Sequence, residues 1–294
     1  MENIPYKLYD TFCYNGEEIA LFHIQYLYDI VDKFIIVESR ETHSGHIKPF
    51  LYFEQNSQLF EPYKDKIELL VIDTFNCIKD LFENWNPEIW MSHLAYESWC
   101  REQYQRNYAY NYLQNQKGPY FVYCGDVDEI PHRNILNEFK NSFTNDYKYK
   151  SISDAIYFEM NFFYYNFKWI KTYKWYHAYI TNDKCLQQYS LNYLRIGNKT
   201  HKTKYIQNAG WHCSFFQSYE NIKRKCESFA HRECDKNDYK TIENIQRCFQ
   251  YGYDIFKRGV LENLNEYTNT STLPDGWEKL QRYILDIQQL ASND

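Results

Sequence analysis

The chain has 294 residues and a formal net charge of −6, and 20% of its positions are aromatic, with 31 tyrosines. A mildly acidic chain lacks the basic face of a nonspecific nucleic-acid binder, and no stretch approaches the roughly 18 uninterrupted apolar residues of a membrane span. The nine cysteines are odd in number and include no C-x-x-C pair, so a zinc site of standard spacing has no support, and reduced, mostly buried thiols of a cytosolic compartment are expected.

Met1-Glu2-Asn3-Ile4-Pro5 shows no charged region followed by an apolar one, so no secretory leader is expected. Tyr6 to Tyr14 reads as a strand. Glu17 to Tyr28 carries Ile19, Leu21, Phe22, Ile24 and Leu27 at helical spacing. Lys33 to Glu38 is a buried-type strand, 51–63 is helical or irregular, and Lys66 to Ile72 is a third strand ending at Asp73. Pro87 to about Gln116 predicts a long helix stopped by Gly118-Pro119. Tyr120 to Cys124 is a fourth strand. Strands alternating with helices predict right-handed βαβ units and a mostly parallel sheet flanked by helices, with ligands bound beyond the carboxyl ends of the strands. Glu38, Asp73 and Asp126 fall at that edge.

The second half is less regular. Tyr149 to Tyr165 reads as one or two strands, and 166–208 as short extended pieces. Ala209 to Phe216 is a strand, and Ser218 to Ala230 a helix with Ser218 as its N-cap. Helices are expected from about Thr241 to Arg258 and near 277–290, the latter after the Pro274-Asp275-Gly276-Trp277 turn. The organisation expected is one domain over 1–294 in three parts: an α/β half at 1–131, a less regular part at 132–240 and a helical C-terminal extension at 241–294. The tyrosines suit a carbohydrate site, because sugar C–H faces pack on rings, but AT-biased coding, which raises Tyr, Asn, Lys and Ile together, is the main account of their number.

Asp126-Val127-Asp128 is the sharpest local feature. Two carboxylates one residue apart, just after a buried strand, can face one cation, and their hard oxygens suit Mn²⁺ or Mg²⁺. Such a cation would bridge the phosphates of a nucleotide-sugar and stabilise the departing diphosphate. A solvated turn is the plain alternative. Asp128-Glu129-Ile130-Pro131 resembles the D-E-I-P signature of glycosyltransferase family seventeen, which includes the bisecting N-acetylglucosaminyltransferase. Two further blocks agree in order. Asp29-Ile30-Val31-Asp32-Lys33-Phe34-Ile35-Ile36-Val37-Glu38-Ser39, followed by Thr42, Gly45 and Pro49, resembles the N-terminal block, and Gly210-Trp211-His212-Cys213-Ser214 resembles the C-terminal one. The resemblance implies a GT-A type fold, a divalent metal and an inverting reaction with UDP-N-acetylglucosamine as donor and a glycan or sugar acceptor. Eukaryotic members begin with a Golgi membrane anchor. This chain shows none, which points to the cytoplasm of a bacterium or of a virus-infected host cell.

Further candidates carry two readings each. Glu38 and Ser39 end the second strand and bind base or ribose, or cap the next turn. Asp73 is weighed in the same way. Arg106 and Asn107 reach the diphosphate, or Arg106 makes a surface salt bridge. Trp211 stacks on a sugar or packs in the core. His212 ligates metal or phosphate, or is a hydrogen-bonded core histidine. Glu220, in the first turn of its helix, is the general base or a helix-dipole partner, with Asp154 and Glu233 as the other acidic candidates. His231 completes the metal shell or complements a helix end. A metal-dependent nucleotidyltransferase would also use paired carboxylates, but no glycine-rich phosphate loop is visible. A silent sugar- or nucleotide-binding module would be free to lose its carboxylate pair.

Overall fold

A computed structural model describes residues 5–75, 93–142, 154–196, 204–259 and 263–290. It is a mixed α/β structure with a 10-stranded sheet. Strands β1 (Lys7–Tyr14), β2 (Lys33–Ser39), β3 (Ile67–Ile72) and β4 (Tyr120–Cys124) lie in the order β3-β2-β1-β4, all parallel. Their side chains alternate between two apolar layers. Leu8, Phe12, Phe34, Ile36, Phe121 and Tyr123 pack on helix α1 (Ile19–Leu27) through Ile24 and Leu27. Tyr9, Ile35, Val37, Val122 and Cys124 face the opposite layer, where the long helix His93–Gln114 contributes Ala109 and Leu113. Burial on both faces is why these strands read as continuous apolar runs rather than alternating ones. The expected start of the long helix at Pro87 lies outside the described residues.

The expectation of a mostly parallel sheet holds only for that half. Beyond β4 come β8 (Tyr179–Asn182), β6 (Ile156–Tyr164), β7 (Trp169–Ile170) and β10 (Asn265–Glu266), each antiparallel to its neighbour. The 166–208 stretch also holds two short helices, Asp183–Leu186 and Leu191–Ile196, where only extended pieces were expected. Asn182 explains the first, since its side chain accepts from the Cys185 N–H and caps the turn. The helix expected to reach Arg258 spans Ile242–Tyr251 and stops at Gly252, which adopts the left-handed conformation of a C-cap. Helix Tyr219–Ser228 has Ser218 as its N-cap, as its sequence predicts. Trp277–Leu290 is the last helix.

Strand β9 (Lys204–Ser214) joins the two regions, pairing parallel with β6 and antiparallel with β5 (Glu129–Pro131). Its register sets Glu129 opposite His212, Ile130 opposite Trp211 and Pro131 opposite Gly210. A Cβ on Gly210 would stand 2.2 Å from the Ile130 carbonyl oxygen and 2.9 Å from Pro131 Cα. Both are backbone atoms that cannot swing aside. Gly210→Ala should therefore cost about 1–3 kcal/mol by overpacking, read as a lowered midpoint in urea; an unchanged midpoint would refute this close approach.

Among the described residues, eight cysteines are free thiols, and no helix is long and apolar enough to cross a membrane.

Candidate active site

Because β1, β2 and β4 are parallel, their carboxyl ends share one edge of the sheet, the usual place for a ligand in such folds. A cleft of about 810 Å³ opens there. Its lining includes Cys13 to Asn15 and Glu17 at and just beyond the end of β1, Ser39 and Glu41 to His43 at and just beyond the end of β2, and Asp126 to Asp128 after β4. Trp175, His212, Lys225, Phe229, Phe256 and Arg258 also line it.

The Asp126 to Glu129 turn is held by cations from distant elements. Asp126 accepts from Arg106 Nη2 at 3.0 Å and from Arg195 Nη2 at 2.5 Å. Its own N–H donates to Glu129 Oε2 at 2.9 Å, closing the turn. Burial opposes the charge on Asp126, but Arg195 and Arg106 outweigh it and hold the carboxyl well below the usual carboxylate range. Glu129 is fully buried and receives both Arg195 nitrogens, at 2.9 and 2.8 Å, together with Trp175 Nε1 at 2.5 Å. Arg106 also donates to Glu102 and to Asn192. Asp128, only 4% exposed, accepts from Lys225 Nζ at 2.8 Å. His212 stacks on Trp175 with ring centroids 4.3 Å apart. Its Nδ1 is buried without a hydrogen-bond partner, 3.7 Å from Asp128 Oδ1. Burial pulls its pKa down despite Asp128, so the neutral ring is favoured.

Of the residues singled out from sequence, Ser39, Arg106, Asp126, Asp128, His212, His231 and Glu233 line this cleft. Six others do not. Glu38 lies beneath, bound to Lys48 Nζ at 2.5 Å and to the Tyr52 and Phe53 N–H groups at 2.7 and 2.9 Å, so it caps a helix start. Asp73 is exposed and paired with Arg40. Asn107 accepts from the Asn192 N–H at 2.8 Å. Trp211 packs in the core beside Tyr26 and His132, its Nε1 on the Thr272 carbonyl. Glu220 and Asp154 are exposed, Asp154 accepting from the Ala155 N–H. Successive strand residues point to opposite faces, so Glu38 and Ser39 part ways, as do Trp211 and His212. Three cleft residues that organise the carboxylates, Arg195, Lys225 and Trp175, carried no local sequence signal. Each meets its partner only through the fold.

The model of glycosyltransferase family 17 matches residues 1–269, nearly the whole chain. The chain belongs to glycosyltransferase family 17. No curated protein matches it. In this glycosyltransferase the D-E-I-P and G-W-H-C-S blocks are one antiparallel ladder, β5 on β9, which sets His212 across from Glu129 and beside Asp128. A glycosyltransferase binds a nucleotide-sugar donor and an acceptor, and this cleft brings carboxylates, buried cations and aromatic rings together.

Proposed function

We propose that this glycosyltransferase is a metal-dependent, inverting enzyme of GT-A type, moving N-acetylglucosamine from UDP-N-acetylglucosamine to a glycan or sugar hydroxyl. The parallel β3-β2-β1-β4 half, with its paired carboxylates just after β4, supports the GT-A reading. The donor rests on the resemblance to the bisecting N-acetylglucosaminyltransferase family.

The balance of formal charge carries the metal. Four carboxylates, Glu102, Asp126, Asp128 and Glu129, meet three cations, Arg106, Arg195 and Lys225. The turn is thus short of positive charge before a diphosphate arrives with more negative charge. A divalent cation offsets both. Asp126 and Asp128 would hold it, with the unpartnered His212 Nδ1 close by. No three His, Cys, Asp or Glu side chains among the described residues converge as a metal cluster, so phosphate oxygens and water would complete the shell. The bound metal would neutralise the leaving diphosphate. Arg106 and Arg195 keep Asp126 ionised and aimed. Trp175 and His212 line the cleft and stack on each other, which fixes its aromatic wall.

A thermal-shift panel tests this. UDP and Mn²⁺ together should raise the melting temperature more than either alone, by the equivalent of about 2.7 kcal/mol at a hundredfold excess over the dissociation constant. A UDP shift indifferent to Mn²⁺ would remove the metal. A larger shift with GDP or CMP would change the donor.

A further inference from the structure

An inverting transfer needs a group that accepts the proton of the attacking hydroxyl, and the cleft contains six carboxylates among its described residues. Five are engaged by a cationic or histidine side chain: Glu41 lies 4.0 Å from Arg101, Glu102 pairs with Arg106, Asp126 with both arginines, Asp128 with Lys225 and Glu233 with His231. A cation stabilises the charged form and so weakens the base. Among the described residues Glu17 has no ion pair. Its neighbour Glu18 is consumed elsewhere, accepting from the Ser218 N–H and hydroxyl at the start of helix Tyr219–Ser228.

Glu17 is also fixed in place. It follows β1, the strand beside β4, so its loop and the Asp126 to Asp128 turn emerge from adjacent strand ends. Gly16 adopts a φ of +84°, and Arg224 Nη2 donates to the Gly16 carbonyl at 3.0 Å. The Asn15 N–H donates to Glu17 Oε2 at 2.6 Å, and the residue's own N–H also bonds its carboxylate. Lys225, which donates to Asp128, also acts electrostatically on Glu17.

We propose that Glu17 is the general base that takes the proton from the acceptor hydroxyl. The proposal rests on the inverting reading above. The acceptor O–H breaks as its oxygen bonds to the anomeric carbon. The bond from that carbon to the diphosphate oxygen breaks, and its electron pair leaves with the nucleoside diphosphate. The proton resides on Glu17 and passes to solvent as products depart. Burial raises the Glu17 pKa above the ordinary value, opposed by Lys225 and Arg224; Tyr14 and Lys48 are the other titratable groups whose charges couple to it. A base tuned upward toward the working pH is the more effective one.

The test follows UDP release from UDP-N-acetylglucosamine with Mn²⁺, using water and chitobiose as acceptors, in wild type, Glu17→Gln and Glu17→Asp. Glu17→Gln should lose about a hundredfold to ten-thousandfold in kcat while keeping the melting shift given by UDP with Mn²⁺. The acidic limb of the wild-type kcat profile should lie above the ordinary glutamate value, vanish in Glu17→Gln and persist, at reduced kcat, in Glu17→Asp. If Glu17→Gln fails to fold, that limb in Glu17→Asp decides. Near-wild-type turnover in Glu17→Gln overturns the base alone. So does loss of the UDP shift with kcat intact, which would make Glu17 a nucleotide contact. A wild type that releases no UDP from any nucleotide-sugar overturns the transfer reading, and the base with it.

Discussion

Asp128→Asn should lower transfer by about a thousandfold or more. The side chain is nearly isosteric, so the loss is one of charge. Asp128 is one of the two carboxylates proposed to hold the cation, and neutralising the leaving diphosphate contributes several kcal/mol at the transition state, with each 1.4 kcal/mol worth about tenfold in rate. The variant should also lose the joint melting shift of UDP with Mn²⁺. Folding should suffer less. Lys225 gives up a charged hydrogen bond of 2.8 Å, a cost of about 1.5–3 kcal/mol. Burial opposes the Lys225 charge, and Asp128, Glu17 and Asp126 outweigh it and raise its pKa; with Asp128 neutralised, the ammonium keeps Glu17 and Asp126. Steady-state kinetics and a melt of the same preparation separate the two effects. Wild-type turnover in Asp128→Asn would refute a role for this carboxylate in the reaction.

Arg195→Ala should be the most destabilising single change near the cleft. Glu129 has no exposed surface, and Arg195 supplies two of its hydrogen bonds, at 2.9 and 2.8 Å. Removing the guanidinium leaves a buried carboxylate with only Trp175 Nε1 and the Asp126 N–H. An uncompensated buried charge costs about 3–5 kcal/mol, a fall of roughly 6–10 °C for a chain of this size. Asp126 loses one of its two cations as well, so kcat should fall with stability. Adding Glu129→Gln should recover part of the loss, since the orphaned charge is then removed too. A single-variant loss under about 1 kcal/mol in urea would show that Glu129 is satisfied without Arg195.

Local signals accounted for much of this molecule. The apolar runs at β1, β2 and β4 identify buried parallel strands, because a strand covered on both faces needs apolar residues at every position. Ser218 marks a helix start because its hydroxyl satisfies the Asn221 N–H three residues on. Asp126 and Asp128 stand out because they follow such a strand directly. The period of two along β9 shows that Trp211 and His212 point to opposite faces. It does not tell which face is core, as both are buried, and only the β5 pairing settles that His212 meets the cleft while Trp211 packs inward. Likewise Glu38 reads as a ligand contact or a cap, and only the fold, which brings the Tyr52 and Phe53 N–H groups to its carboxylate, decides for the cap. Arg195 and Lys225 lie 69 and 97 residues from the carboxylates they hold. An ion pair at such separation leaves no periodicity and no spacing, since its geometry is set by where two helices dock on the sheet. The sequence alone thus determined the strands of the parallel half and the place of the carboxylate pair, while tertiary packing decided the antiparallel half, which side chains surround that pair and which neighbours turn away.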